Sequence, residues 1–489
     1  MNRYFASLAV ISACMAVSAC SSSDSSSALT VTNCDPDLSS KDVVYTLKPE
    51  WTPSPSPTVG TSVDVNLGNS PESFVQAAYE QIYGATPSAG IISTQAANLR
   101  NLSYWRRIDV VHTFFDSSGT TLSQVFSDPW VSHPDFTTAP CKALKRDVGA
   151  VLMYFFGCNT SGTNCNMNWA NTHAHGMNAA HALYGFGASS TGDYNSATNA
   201  GFFYRELMDA RHAGLQFLLA NTYGPDLTDG SMTNLASALA KIHADGVDNT
   251  VKMALLDDTW GWGNLGGVFA TPPDLHTFSP TATSTAATKI YQNKWKKFFN
   301  AIPRQDWYTV NGRPLVFFYN AGTLQPSQNA ASVIAAIKEL FNADFGVEPW
   351  VVVDKGFNGG NVSTADSMFT WDTRNLSGGK SRSTMNGITV DHAIVKWDPI
   401  GRDTFQTPSS YNVRVAGSAD NLKKGGEFLQ SILDGSEDAD ILVLGTWNDL
   451  GEGTGINRNY DYYYQGSWLA PNYFMNKVRH SQAHSPDTN

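Results

Sequence analysis

The chain has 489 residues, 12% of them aromatic with 13 Trp and 19 Tyr, and a formal net charge of −11 at pH 7. That acidity argues against nucleic acid as a partner, because holding a phosphate backbone calls for a basic patch. The aromatic share suits stacking on sugar rings, although a large core buries aromatics as well.

Met1 to Cys20 carries a basic Arg3, an apolar stretch from Phe5 to Val17 and then Val17-Ser-Ala-Cys20. This reads as a secretory signal ending in a lipobox-like site, with Cys20 lipidated; a plainly cleaved signal with full secretion is the alternative. The apolar stretch is too short to span a bilayer. Ser21–Ser27 reads as a flexible tether and the Pro-rich Thr52–Thr58 as a stiff spacer. The expected location is the bacterial cell envelope, through a lipid anchor, or the medium. Downstream lie Cys34, Cys141, Cys158 and Cys165. An even number in an exported chain points to two disulfides, with Cys158–Cys165 the local pairing among three. Without a Cys-x-x-Cys spacing, a zinc site is the weaker reading. The expected organisation is signal 1–20, tether 21–60, one catalytic domain 61–480 and a polar tail 481–489, in a monomer.

In chain order, helical spacing at 71–83 is followed by apolar strand candidates at 108–116 and 149–156. Helices at 203–213, 232–244, 284–301 and 327–343 then alternate with strands at 214–221, 251–258, 313–320 and 349–354. Strands at 367–372 and 393–397 follow with no clear helix between them. A helix at 420–434 leads to the strand at 441, and 471–478 reads as a last helix. Apolar strands separated by amphipathic helices imply a parallel sheet buried on both faces. The expected fold is therefore α/β, a (β/α)8 TIM barrel with an N-terminal arm and elaborated loops. A doubly wound open sheet is the alternative, but no Gly-x-Gly-x-x-Gly follows a strand. Nine strand candidates exceed the eight required. A parallel crossover needs about a dozen residues, usually helical, so one of 367–372 and 393–397 reads as an insertion.

Strand ends carrying polar residues would converge on one rim of such a barrel. Candidate substrate contacts are Asp257, Asp258, Trp260, Tyr319, Asp354 and Trp371, with Trp262 and Trp397 as further platforms. Helix capping, a calcium site or core packing would explain each of these singly. Trp169–His181 holds His173, His175 and His181. His-x-His at a strand end occurs in metal-dependent amidohydrolases, but a histidine such as His175 lining a sugar cleft is the better reading, and no cofactor is expected.

The richest stretch is Ile441-Leu-Val-Leu-Gly-Thr-Trp-Asn-Asp-Leu-Gly-Glu-Gly-Thr-Gly455, an apolar run followed by a glycine-punctuated loop with Asp449 and Glu452 three residues apart. Two carboxylates beside a Trp suit glycoside cleavage, one protonating the leaving oxygen and the other acting as base or nucleophile. Trp447-Asn448-Asp449-Leu450-Gly451-Glu452-Gly453 resembles the Trp-Asn-Asp-x-Gly-Glu signature of glycoside hydrolase family 71, the α-1,3-glucanases. It is also similar to the Trp-Asn-Glu-x-x-Glu-Gly-Thr signature of family 99, the endo-acting α-mannosidases and mannanases, whose Gly453-Thr454 and Ile456 also match. The resemblance implies a (β/α)8 barrel, an α-linked polysaccharide or oligosaccharide substrate, Glu452 as general acid and Asp449 as base. By position the resemblance carries over to Asp449 and Glu452 alone; Trp447 and Asn448, next to the pair, are further candidate substrate contacts. Asp449 is one methylene shorter than the family 99 residue. The aromatic stretch Asn457–Gln465 would floor the cleft or close the last turn.

Overall fold

The computed structural model describes residues 34–35, 70–100, 110, 113–114, 139–140, 145–153, 157–158, 165–166, 200–222, 230–247, 250–258, 287–319, 330–356, 363–373, 376–395, 425–448, 455–457, 463–464, 467–468 and 472–483. All of these fall in one compact unit, Asn33–Asn489. The expected signal, tether and lipidated Cys20 lie outside the described residues. Among the described residues, no helix is long and apolar enough to cross a membrane.

Nine strands make one path: β1 (Asp147–Met153), β2 (Phe217–Asn221), β3 (Lys252–Asp258), β4 (Arg313–Tyr319), β5 (Trp350–Asp354), β6 (Ser367–Phe369), β7 (Ser381–Met385), β8 (Ile388–Ala393) and β9 (Ile441–Leu444). Their spatial order is β6-β5-β4-β3-β2-β1-β9-β8-β7, with the short strand Thr309–Val310 hairpinned onto β4. Every pairing from β6 round to β8 is parallel, and only β7 runs antiparallel, against β8. The result is a mostly parallel, nearly closed, barrel-like sheet. Its strands are apolar on both faces, as a sheet covered by helices requires: β2, β5 and β9 are buried along their whole length.

Helices α3 (Ala200–His212), α4 (Ser231–Ala244), α5 (Lys296–Ala301), α6 (Ala330–Phe345) and α7 (Gly425–Asp434) each lead into a strand, and α8 (Tyr473–Ala483) ends the description. In α4 the buried set Met232, Leu235, Ala238, Leu239 and Ile242 has the three-and-four spacing of an amphipathic helix. α8 runs past residue 480 into the segment expected to be tail, with Ser481 and Gln482 buried. Earlier in the chain lie α2 (Ala89–Arg100) and, before it, α1 (Pro71–Tyr83). Ser70 and Ser73 cap α1 reciprocally, Pro71 opens it, and Gly84 closes it in the left-handed region.

Two expectations about the strands are overturned. Within 108–116, Val110, Thr113 and Phe114 are helical rather than extended. Val110 and Phe114, four apart, are both buried, and Phe114 packs edge-on against Tyr79. An apolar run this short fits a buried helix face as well as a strand. Second, neither strand expected from 367–372 and 393–397 is an insertion. β6 and β8 both belong to the path, and β8 begins at Ile388 rather than 393. The crossover between them, where no helix is legible, contains the extra strand β7, antiparallel to β8.

The seam between β6 and the β7–β8 hairpin is closed by side chains. The Thr370 amide donates to Ser381 Oγ at 3.0 Å, and His392 Nδ1 donates to the Thr370 carbonyl at 2.9 Å. The Ile394 amide donates to Thr373 Oγ1 at 2.9 Å. Across the hairpin, Arg382 of β7 forks onto Asp391 of β8 and also reaches Asp438, and Lys380 joins Asp391 at 2.9 Å.

The backbone register of the two-residue strands Gly157–Cys158 and Cys165–Asn166 sets Cys158 opposite Cys165. That opposition is compatible with the reach of a disulfide across an antiparallel pair.

Candidate functional site

Ladder register decides which polar residues share the inner face. Residues paired across adjacent strands point to the same side, and alternate residues on one strand point to opposite sides. Lys294 and Trp295 approach Asp257 from the helical layer, through a π-helical turn at Tyr291–Trp295 that brings two consecutive side chains onto one carboxylate. Lys294 Nζ lies 2.8 Å from Asp257 Oδ1 and Trp295 Nε1 2.8 Å from Oδ2, all fully buried. Asp257 therefore faces outward and is part of the packing, and its expected sugar contact is not carried further. Its neighbour Asp258 faces inward.

Asp258 pairs with Tyr319 in register, Asp354 pairs with Phe369, and His392 pairs with Val443, which pairs with Gly149 and onward to Phe217. Gly149 has no space for a side chain, since a Cβ there would sit 2.3 Å from the Phe217 ring. Near the C-terminal ends of the strands the inner wall thus carries Asn221, Asp258, Tyr319, Asp354, Trp371 and His392. Asn221 Nδ2 reaches Asp258 Oδ2 at 3.5 Å and Met153 Sδ at 3.4 Å. Tyr319 tilts against Trp371 with ring centroids 4.8 Å apart, and Trp371 stacks on the His392 imidazole at 5.4 Å. Tyr319 and Trp371 are partly exposed, as a stacking surface for a ligand requires.

Asp354 Oδ2 accepts the Trp371 amide at 3.0 Å and Oδ1 accepts the Gly356 amide at 2.6 Å. Burial pushes its carboxyl above the usual carboxylate range, against those two hydrogen bonds and the nearby Lys355, which pull it down. His392 is missing from the sequence-derived contacts. It sits inside an apolar-looking strand and only its register reveals its side. Burial lowers its pKa to about 4, against a small upward pull from the Thr370 carbonyl. The imidazole is therefore neutral, with Nδ1–H given to Thr370, while Nε2 has no hydrogen-bond partner among the described residues.

A pH dependence follows. The folded state keeps His392 neutral down to about pH 4, whereas an unfolded histidine takes its proton near pH 6.5. Between those values the unfolded state binds more protons, so stability is complete above the upper limit and falls as pH drops to the lower one. The loss is on the order of 3 kcal/mol. Denaturant midpoints across this window should show wild type losing stability that His392→Leu does not lose. Parallel curves would refute the assignment.

The acid-bearing motif begins at the end of β9. Gly445 there is compelled by space: a Cβ would lie 2.7 Å from the Ile394 Cα, a backbone atom that cannot rotate aside. Trp447 is a hub. Its amide donates to the Val151 carbonyl at 2.6 Å, and its carbonyl accepts from the Ile456 and Asn457 amides, each at 2.8 Å. Its indole Nε1 donates to Glu206 Oε2 on α3 at 2.5 Å. Asn448 extends the β1–β9 ladder with its side chain, Oδ1 accepting the Met153 amide at 2.7 Å and Nδ2 donating to the Met153 carbonyl at 3.1 Å. Thr446 bridges to Gly455. Both ends of the loop are thus tied to the sheet. Trp447 and Asn448 are fully buried and serve as its anchors, not as sugar contacts. Asp449 and Glu452 lie outside the described residues, as do Trp260, Trp262, Trp397, His173, His175 and His181. Among the described residues no group of three or more His, Cys, Asp or Glu is arranged to hold a metal.

The family model described as Domain of unknown function (DUF5010) matches residues 157–488. The chain belongs to that family. The match begins just after β1 of this DUF5010 chain and takes in the rest of the path. No curated protein matches it. Among solved structures it is similar to the GH99 endo-alpha-mannosidase from Bacteroides thetaiotaomicron. Identity is 13%, covering 69% of this chain and 97% of that one, with a TM-score of 0.45. The same enzyme in complex with bis-tris-propane gives 12% identity, the same coverages and a TM-score of 0.44. A glycoside hydrolase-like protein gives 12% identity over 72% of this chain and 97% of its own, with a TM-score of 0.43. Likeness at this level carries nothing about activity, so function must come from the chain's own residues.

Proposed function

We propose that this chain is an exported glycoside hydrolase with a (β/α)8 catalytic domain that cleaves an α-linked polysaccharide, endo-acting, by a two-carboxylate mechanism. The observation that carries the reading is the anchoring of the motif loop. Its two acids fall between residues tied to the C-terminal end of a parallel strand, where barrel enzymes keep their chemistry. Glu452 protonates the leaving oxygen, and Asp449 acts on water or on the anomeric carbon from the other face. Carboxyl separation sets the inverting or retaining outcome. The inner-wall residues Asp258, Tyr319, Asp354 and Trp371 support the same reading. An aromatic pair takes the apolar face of a pyranose, and neighbouring carboxylates accept its hydroxyls. Trp260 and His175 join them on sequence grounds alone.

The test is a screen of the purified chain against α-1,3-glucan, α-mannan and β-linked controls, with and without EDTA. Product release from an α-linked polymer that survives EDTA is the expected result. Activity abolished by EDTA and restored by a divalent ion would shift the chemistry to His173, His175 and His181. Silence on every polymer would overturn the reading.

A further inference from the structure

Among the described residues that tie the two ends of the motif loop to the sheet (its neck), Trp447 sends its side chain to a helix, α3. Its partner there is a carboxylate: Glu206 Oε2 accepts the indole N–H at 2.5 Å, with Glu206 only 2% exposed and Trp447 not at all. Every other polar atom of Trp447 is used as well, the amide on β1 and the carbonyl on the returning end of the loop. The residue whose indole is held by Glu206 thus also carries the three backbone hydrogen bonds that define where the loop starts and finishes. Burial keeps water from competing for this link, and an indole N–H left there without its acceptor would carry a desolvation cost. α3 is itself braced: His212 at its end accepts from Arg479 Nη1 of α8 at 2.8 Å. A helix braced at its end thus holds the hub through a buried hydrogen bond.

We propose that Glu206 is a positioning residue for the acid-bearing loop, acting through the Trp447 indole to fix the geometry of Asp449 and Glu452. This rests on the proposed function for its effect on rate, but its effect on the loop neck stands independently. Small misplacement of catalytic groups is costly, since about 1 Å can remove roughly a hundredfold in rate. Substrate affinity, set elsewhere on the inner wall, is left nearly unchanged.

The experiment is a double-mutant cycle on the full chain with Glu206→Leu, Trp447→Phe and the pair, alongside Glu206→Gln. Hydrogen exchange is followed at the Ile456 and Asn457 amides and in the β9 core. The expected result is a fall in kcat of roughly a hundredfold with KM nearly constant in each single variant, and no further loss in the double. Glu206→Gln, which keeps an acceptor oxygen, retains most of the rate. Exchange at Ile456 and Asn457 rises about tenfold in Glu206→Leu, while the amides of Leu442 and Val443 do not change. Should Glu206→Leu fail to fold, Glu206→Gln against Trp447→Phe decides by the same exchange readout. Unchanged exchange at the neck, or additive losses in the cycle, would overturn the proposal. Faster neck exchange in a chain that Glu452→Gln does not inactivate would uphold the positioning role and refute the catalytic assignment instead.

Discussion

Glu452→Gln is expected to lower the rate of glycoside cleavage by roughly 10²–10⁴-fold while leaving the unfolding midpoint where it was. The substitution replaces one oxygen with an NH2 of nearly the same shape, so it removes the transferable proton and little else. The loop around it is tied at Trp447, Asn448 and Gly455 by bonds that do not involve residue 452. A collapse of the neck is therefore not expected to accompany the loss. Asp449→Asn should be damaging to a similar degree, since base or nucleophile is as necessary as acid. The diagnostic comparison uses substrates with good leaving groups, which need little protonation. Aryl glycosides should be rescued in Glu452→Gln and not in Asp449→Asn. Full activity of Glu452→Gln on polymer would end the two-carboxylate assignment.

The largest stability effect is expected at Lys294. Its ammonium is fully buried against Asp257 and also donates to the Thr222 carbonyl at 2.9 Å and the Asp258 carbonyl at 3.2 Å. Lys294→Met keeps the length and apolar stem but leaves the buried Asp257 carboxylate without its ammonium. Breaking a buried pair from one side costs about 3–5 kcal/mol, because an uncompensated charge is left behind. Removing both charges together, Lys294→Met with Asp257→Leu, should cost less than the single change, because no ion then needs burying. Denaturant unfolding of the three proteins checks this. A single-variant loss under about 1 kcal/mol would mean that the pair contributes little.

The Asp257–Asp258 dipeptide shows where sequence reading reaches its limit. Adjacent and chemically identical, the two point to opposite sides of β3, and only a partner from another element reveals which side is the inner one. Tyr319, Asp354 and Trp371 were legible because they sit at the ends of apolar runs, where polarity changes abruptly. His392 was not, since a neutral imidazole within Ile388–Ala393 has no local signature. Glu206 was not either, because a helical glutamate reads as a solvated face until a Trp from 241 residues away closes on it.

By itself the sequence determined the alternation of apolar strands and amphipathic helices, and so a parallel sheet buried on both faces. It also determined the motif with its paired acids. Both are local properties: hydrophobic period and residue spacing are written along the chain. Tertiary structure decided that 108–116 contributes helix and that β7 closes the seam next to β6. It also decided which face each strand turns inward, and that Trp447 and Asn448 anchor the loop. Those outcomes depend on tertiary pairing and burial, and the contacts that fix them join residues from 11 to 295 positions apart.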